Sequence, residues 1–216
     1  DLEVRQPTDR IVLQAIDMSF ANNVLAMPDG KTRTAKVTVD ADAQTATFAF
    51  DAPLAPGRYT LSTDYTGRIG TQANGLFALD YDTDGGRKRA LYTQFENSDA
   101  RRFMPCWDEP NFKATFDLTV IAPAGQMVVG NMPATETKDL GNGLQRVVFQ
   151  TTPKMSTYLL FLGVGEFDRA TGTVDGTEIG VVTPKGKVDQ AAGALEASRV
   201  VLKEYNDYFG VRYPLP

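Results

Sequence analysis

The residues most able to do chemistry are concentrated between positions 92 and 116, which read Tyr-Thr-Gln-Phe-Glu-Asn-Ser-Asp-Ala-Arg-Arg-Phe-Met-Pro-Cys-Trp-Asp-Glu-Pro-Asn-Phe-Lys-Ala-Thr-Phe. Gln94 and Glu96 stand two positions apart, so on a strand they project from the same face. A carboxylate beside a carboxamide offers a receptor for a cation and a flexible hydrogen-bonding wall. Just beyond them Asp99, Arg101, Arg102, Asp108 and Glu109 crowd a loop that also holds Phe103, Cys106 and Trp107. The residues alone allow a plainer reading. In it the loop is ion-paired, Trp107 and Phe103 anchor it by burial, and Glu96 is merely solvated.

The chain contains no histidine. Ser-His-Asp and Cys-His catalysis, histidine-ligated metals and imidazole acid–base chemistry are therefore excluded on its own residues. A single cysteine excludes an internal disulfide framework and leaves the compartment open. With no histidine partner, Cys106 reads as a small packed side chain beside Trp107. Lys and Arg number 22 against 27 Asp and Glu, a net charge of −5, which gives no basic footprint for nucleic acid. No apolar run approaches the roughly 18 residues that a membrane-spanning helix needs.

The elements that must position this segment read mostly as short strands. Ile16, Met18 and Phe20 alternate with Asp17 and Ser19, and Val37/Val39, Ala46/Phe48/Phe50 and Tyr59/Leu61 repeat the pattern. Turn formers separate them, notably Pro28-Asp29-Gly30 and Pro56-Gly57. A hairpin is predicted from Leu76–Tyr81 and Arg89–Phe95 about Asp82-Thr83-Asp84-Gly85-Gly86. Ala114, Phe116, Leu118 and Val120 give the cleanest alternation, and Tyr158–Val164 reads as a central strand. Near the end the period changes. Ala191, Ala194, Leu195, Ser198, Val201, Leu202, Tyr205 and Phe209 share a helix face from about Asp189, a plausible N-cap, to Phe209, with Gly210 as the closing glycine. The fold class expected is mainly β: an antiparallel, saddle-like β-sandwich of about a dozen strands with one C-terminal α-helix. Residues 1–185 form the β domain, and residues 186–216 a helix and extended linker.

Several blocks together resemble one family. Thr93-Gln94-Phe95-Glu96, Asp99-Ala100-Arg101-Arg102 and Pro105-Cys106-Trp107-Asp108-Glu109-Pro110 are similar to the N-terminal domain of zinc aminopeptidases of the aminopeptidase N type. Gly75-Leu76-Phe77, Asn131-Met132-Pro133, Pro153-Lys154-Met155-Ser156-Thr157-Tyr158-Leu159 and Tyr208 through Leu215 extend the likeness in family order. The first 70 residues fit in pattern only.

The resemblance implies an enzyme that removes single residues from peptide amino termini. Its zinc would be held by His-Glu-x-x-His and a later glutamate in a catalytic domain outside this chain. It implies that Glu96 binds the substrate's free α-ammonium, and that Gln94 lines the pocket for the first side chain. Neither His-Glu-x-x-His nor Gly-x-Met-Glu-Asn occurs here, so the chain on its own is expected to be inactive, with no catalytic residue and no metal ligand of its own. The expected partners are a peptide, through its free amino terminus, and that catalytic domain. The competing expectations are a stand-alone β-sandwich binding module with outward-facing aromatics, and a relative that serves as a non-catalytic scaffold.

Overall fold

The structure, a computed structural model, describes residues 1–83 and 85–215. Asp84, in the predicted hairpin turn, and Pro216, at the end of the predicted linker, lie outside the described residues. The chain is mostly antiparallel β-structure with a single C-terminal α-helix, the architecture that the alternating apolar pattern requires.

Contacts divide the chain into two compact units. The first comprises Asp1–Phe77, Thr93–Ala114 and Met155–Leu160. Its strands begin with β1 (Leu2–Val4), β2 (Thr8–Gln14), β3 (Ser19–Ala26) and β4 (Thr32–Thr34). They continue with β5 (Lys36–Asp40), β6 (Thr45–Leu54) and β7 (Gly57–Thr66). One sheet has the order β1-β7-β3-β4 and another β2-β6-β5. The inward positions of both sheets meet in one apolar core. Leu25, Ala46 and Phe48 are fully buried there, and Phe20 meets Phe48 edge-on at 5.5 Å.

Further along, β8 (Gly75–Thr83) and β9 (Gly86–Gln94) form the predicted hairpin. The predicted strand at 114–120 is interrupted. β10 (Lys113–Ala114) pairs with a later short strand, residues 115–118 are irregular, and β11 (Thr119–Pro123) belongs to a different sheet. The burial alternation persists through the break, with Phe116 and Leu118 half-buried, because side-chain direction can alternate without ladder hydrogen bonds. Phe116 instead donates its N–H to the Thr152 hydroxyl at 3.0 Å and accepts the Thr152 N–H at 3.0 Å.

The second unit comprises Ala78–Tyr92, Thr115–Lys154 and the residues from Phe161 onward. It adds β12 (Met127–Gly130), β13 (Ala134–Gly141) and β14 (Leu144–Phe149). β15 (Met155–Ser156) returns to the first unit and is the partner of β10. β16 (Leu162–Gly165), β17 (Phe167–Val174) and β18 (Thr177–Pro184) complete the strands. The second unit holds the sheets β12-β16-β9-β8, β11-β14-β13 and the ribbon β17-β18. The predicted central strand at 158–164 is shorter than expected. A 3₁₀ turn covers Thr157–Leu159, and only β16, buried along its whole length, forms the ladder.

The helix α1 (Ala192–Phe209) is preceded by a 3₁₀ turn at Val188–Ala191, so its N-cap is Ala191 and not Asp189. Gly210 ends it as expected, at φ 64°, donating its N–H to the Asn206 carbonyl at 3.1 Å. The buried stripe is narrower than the predicted face. Ala191, Leu195, Leu202 and Asn206 turn inward, while Val201, Tyr205, Tyr208 and Phe209 are exposed. A two-stranded ribbon is a small platform, and Leu195 and Arg199 of the helix lie over Gly172 on β17 at ordinary packing distance.

Candidate functional site

β9 delivers Gln94 at its last position, and the chain then leaves the sheet. Glu96 therefore sits in a turn just past the strand and not on it, which corrects the expectation of a shared strand. The alternation nevertheless continues. Thr93 and Phe95 are buried, and Gln94 and Glu96 are exposed. Phe95, at 1% exposure, packs against Phe103 with ring centroids 5.4 Å apart. This burial fixes the backbone on either side of the two polar side chains. The turn is closed by the Asp99 N–H donating to the Phe95 carbonyl at 2.8 Å. The Glu96–Asn97 peptide bond is cis.

The loop beyond is organised around Asp108, whose carboxylate is wholly buried. Arg101 donates to one of its oxygens from Nε at 3.0 Å and from its backbone N–H at 3.2 Å. The Thr157 hydroxyl donates to the other oxygen at 2.8 Å. The Asp108 N–H is taken up by the Gln14 side-chain oxygen at 3.0 Å. Arg101 also reaches Gln44 Oε1 from Nη1 at 3.0 Å. A backbone bridge between Gln14 and Cys106, at 2.8 and 3.1 Å, joins the loop to β2, and the Ile16 N–H donates to the Arg101 carbonyl at 2.9 Å. Both oxygens of the buried carboxylate thus have donors and Arg101 is its counter-charge, the condition under which a buried charge is tolerated.

The second acid, Asp99, is held by Arg102 Nε at 2.7 Å. Both arginines are thus paired with acids of the loop, as its ion-paired reading expects. Glu96 differs. Among the described residues its carboxylate has no ion pair or hydrogen bond, and it stands exposed. A cavity of about 200 Å³ is lined by Ile16, Asp17, Arg68, Asn74, Leu76 and Arg102 among others, but not by Gln94 or Glu96.

Two expectations about the loop's aromatic and thiol groups have different outcomes. Trp107 is not a buried anchor: it is 36% exposed and stands beside Phe112, ring centroids 6.0 Å apart. Asp108 has taken the interior position next to it. Cys106 is the packed thiol expected. Burial pushes its pKa up to about 12, with the Asp108 charge adding to the rise and Arg101 opposing it. Sequence reasoning missed Gln14, Gln44 and Thr157, which complete the loop from distant parts of the chain.

The residues do not fit a zinc site. There is no histidine, and no group of three or more metal-binding side chains occurs among the described residues. Nor is any described helix long and apolar enough to cross a membrane.

Comparison with known proteins places this geometry in context. The family described as the peptidase M1 N-terminal domain matches residues 1–159. The chain is similar to aminopeptidase N of Acetobacter pasteurianus, 44% identical over 216 residues, all of this chain and 60% of that protein. It is similar to aminopeptidase M1-A of Oryza sativa subsp. japonica, 38% identical, all of this chain and 25% of that protein. Endoplasmic reticulum aminopeptidase 2 of Bos taurus is 32% identical over 99% of this chain and 23% of its own length. The chain thus spans less than two thirds of each of these relatives.

Two outcomes are expected. Replacing Asp108 by Ala strands Arg101 and Thr157 in the interior and should lower unfolding free energy by about 3–5 kcal/mol in urea titrations. A loss below about 1 kcal/mol would show that the buried pair does not hold the loop. For Cys106 the folded pKa is raised, so its contribution to stability is complete below the unfolded thiol value of about 8.5 and disappears as pH rises toward 12. Iodoacetamide at pH 8 should accordingly label the native thiol about a thousandfold more slowly than the thiol in denaturant, and similar rates would contradict the burial.

Proposed function

Because this chain belongs to the family of peptidase M1 N-terminal domains, we propose that it serves an aminopeptidase as the part that grips the substrate's free amino terminus. The observation that carries the reading is the state of Glu96. It lies within the matched region, directly after a strand end fixed by buried Phe95, and its carboxylate is uncommitted while Asp99 and Asp108 are both taken by arginines. An exopeptidase must distinguish a chain end from a chain interior, and the α-ammonium is the feature that differs. A carboxylate held on a braced turn recognises it by a charge-assisted hydrogen bond, and so sets which residue lies first in the site. Gln94, exposed two positions earlier, lines the space for the first side chain with a donor and an acceptor.

In this reading the substrate is a peptide with a free amino terminus. The zinc, and the groups that activate water, belong to a catalytic domain of the same parent polypeptide, since this chain offers no ligand set. The chain alone binds no zinc and hydrolyses nothing. The resemblance to enzymes named aminopeptidases in bacteria, plants and animals supports the same assignment.

The experiment is a substitution in the full-length enzyme. Glu96→Ala should lower kcat/KM for free-amine aminoacyl substrates by about 10- to 150-fold, the worth of one hydrogen bond to a charged group. Wild-type kinetics would remove Glu96 from the site. The purified 216-residue chain, supplied with zinc and a chromogenic aminoacyl substrate, should show no turnover. Turnover by the pure chain would overturn the division of labour between the two domains.

A further inference from the structure

The turn carrying Glu96 is held from behind by a contact that the buried network around Asp108 does not need. Arg102 Nε donates to Asp99 Oδ1 at 2.7 Å, and the Arg102 N–H donates to the Asp99 carbonyl at 3.1 Å. Asp99 in turn closes the loop onto the Phe95 carbonyl, so the ion pair and the turn share a residue. The stem of Arg102 is itself confined. It fills the space in front of Gly75, where a β-carbon would lie 2.6 Å from Arg102 Cβ. Gly75 also has φ +65°, a conformation that favours glycine. Residue 75 therefore gives Arg102 its place, Arg102 orients Asp99, and Asp99 sets the turn from which Glu96 projects.

The Asp99 and Arg102 side chains are 27% and 34% exposed, and partly exposed pairs of this kind add little to stability. Their effect here is geometric. A carboxylate that accepts from an ammonium works at about 2.7–2.9 Å, and a small displacement forfeits most of the contact. We infer that Arg102 is a positioning residue for substrate binding, acting through Asp99 on the turn that presents Glu96. The inference rests on the amine-binding reading of Glu96, and its test separates the two.

The test is a double-mutant cycle in the full-length enzyme, assayed on a free-amine aminoacyl substrate. Arg102→Ala should reduce kcat/KM about five- to tenfold, chiefly by raising KM, and should leave the thermal midpoint nearly unchanged. In the Glu96→Ala background the same substitution should cost less than about twofold, because the group it positions is gone. Arg102→Lys, which keeps the charge and the stem, should recover part of the loss. It also supplies the cycle if the alanine variant fails to fold. Equal losses in both backgrounds would overturn the inference and leave the role of Glu96 standing. If Glu96→Ala itself has wild-type kinetics, the amine-binding reading falls and this inference falls with it.

Discussion

A carboxylate with no access to water must be fully paired or it unfolds its surroundings, and Asp108 is such a group. Its two oxygens are met by the Arg101 side chain and backbone and by the Thr157 hydroxyl, and its own N–H by Gln14. The partners come from the 3₁₀ turn at Ala100–Arg102, from the 3₁₀ turn at Thr157–Leu159 and from β2. One buried aspartate, through its carboxylate and its backbone N–H, therefore ties three stretches of chain to the loop. Removing it does more than delete a contact, because a guanidinium is left in the interior without its counter-charge. The 3₁₀ turn that this knot holds through Arg101 also carries Arg102, the partner of Asp99.

The loop divides its acids by task. Asp108 holds the interior, Asp99 ties the turn to Arg102, and Glu96 remains available at the surface. The arginines are divided in the same way, so neither is free to neutralise Glu96. Cys106, raised by burial, stays protonated at ordinary pH and adds no competing charge or nucleophile. Such an arrangement suits recognition of a cation by one residue.

Much of this was legible in the sequence because the informative residues are neighbours along the chain. Gln94 and Glu96, the two acid–arginine combinations and the closing Gly210 are local, and local spacing carries them. Gln14, Gln44 and Thr157 were not legible. They meet their partners across 94, 57 and 49 residues, and no spacing rule reports a hydrogen bond made by the fold. The alternation over 114–120 does not reveal that the ladder breaks between Ala114 and Thr119. Asp189 was displaced as N-cap by a 3₁₀ turn, which the helical period does not distinguish from the helix itself. The ion-paired reading of the loop buries Trp107, whereas the paired Asp108 takes the interior position.

The central claim is that Glu96 receives a peptide's charged end. The most direct measurement is a crystal structure of the full-length protein with a bound free-amine peptide. The account predicts the terminal nitrogen within about 3 Å of a Glu96 carboxylate oxygen, the distance of a charge-assisted hydrogen bond. An ammonium held by other groups, with Glu96 still directed into solvent, would contradict it.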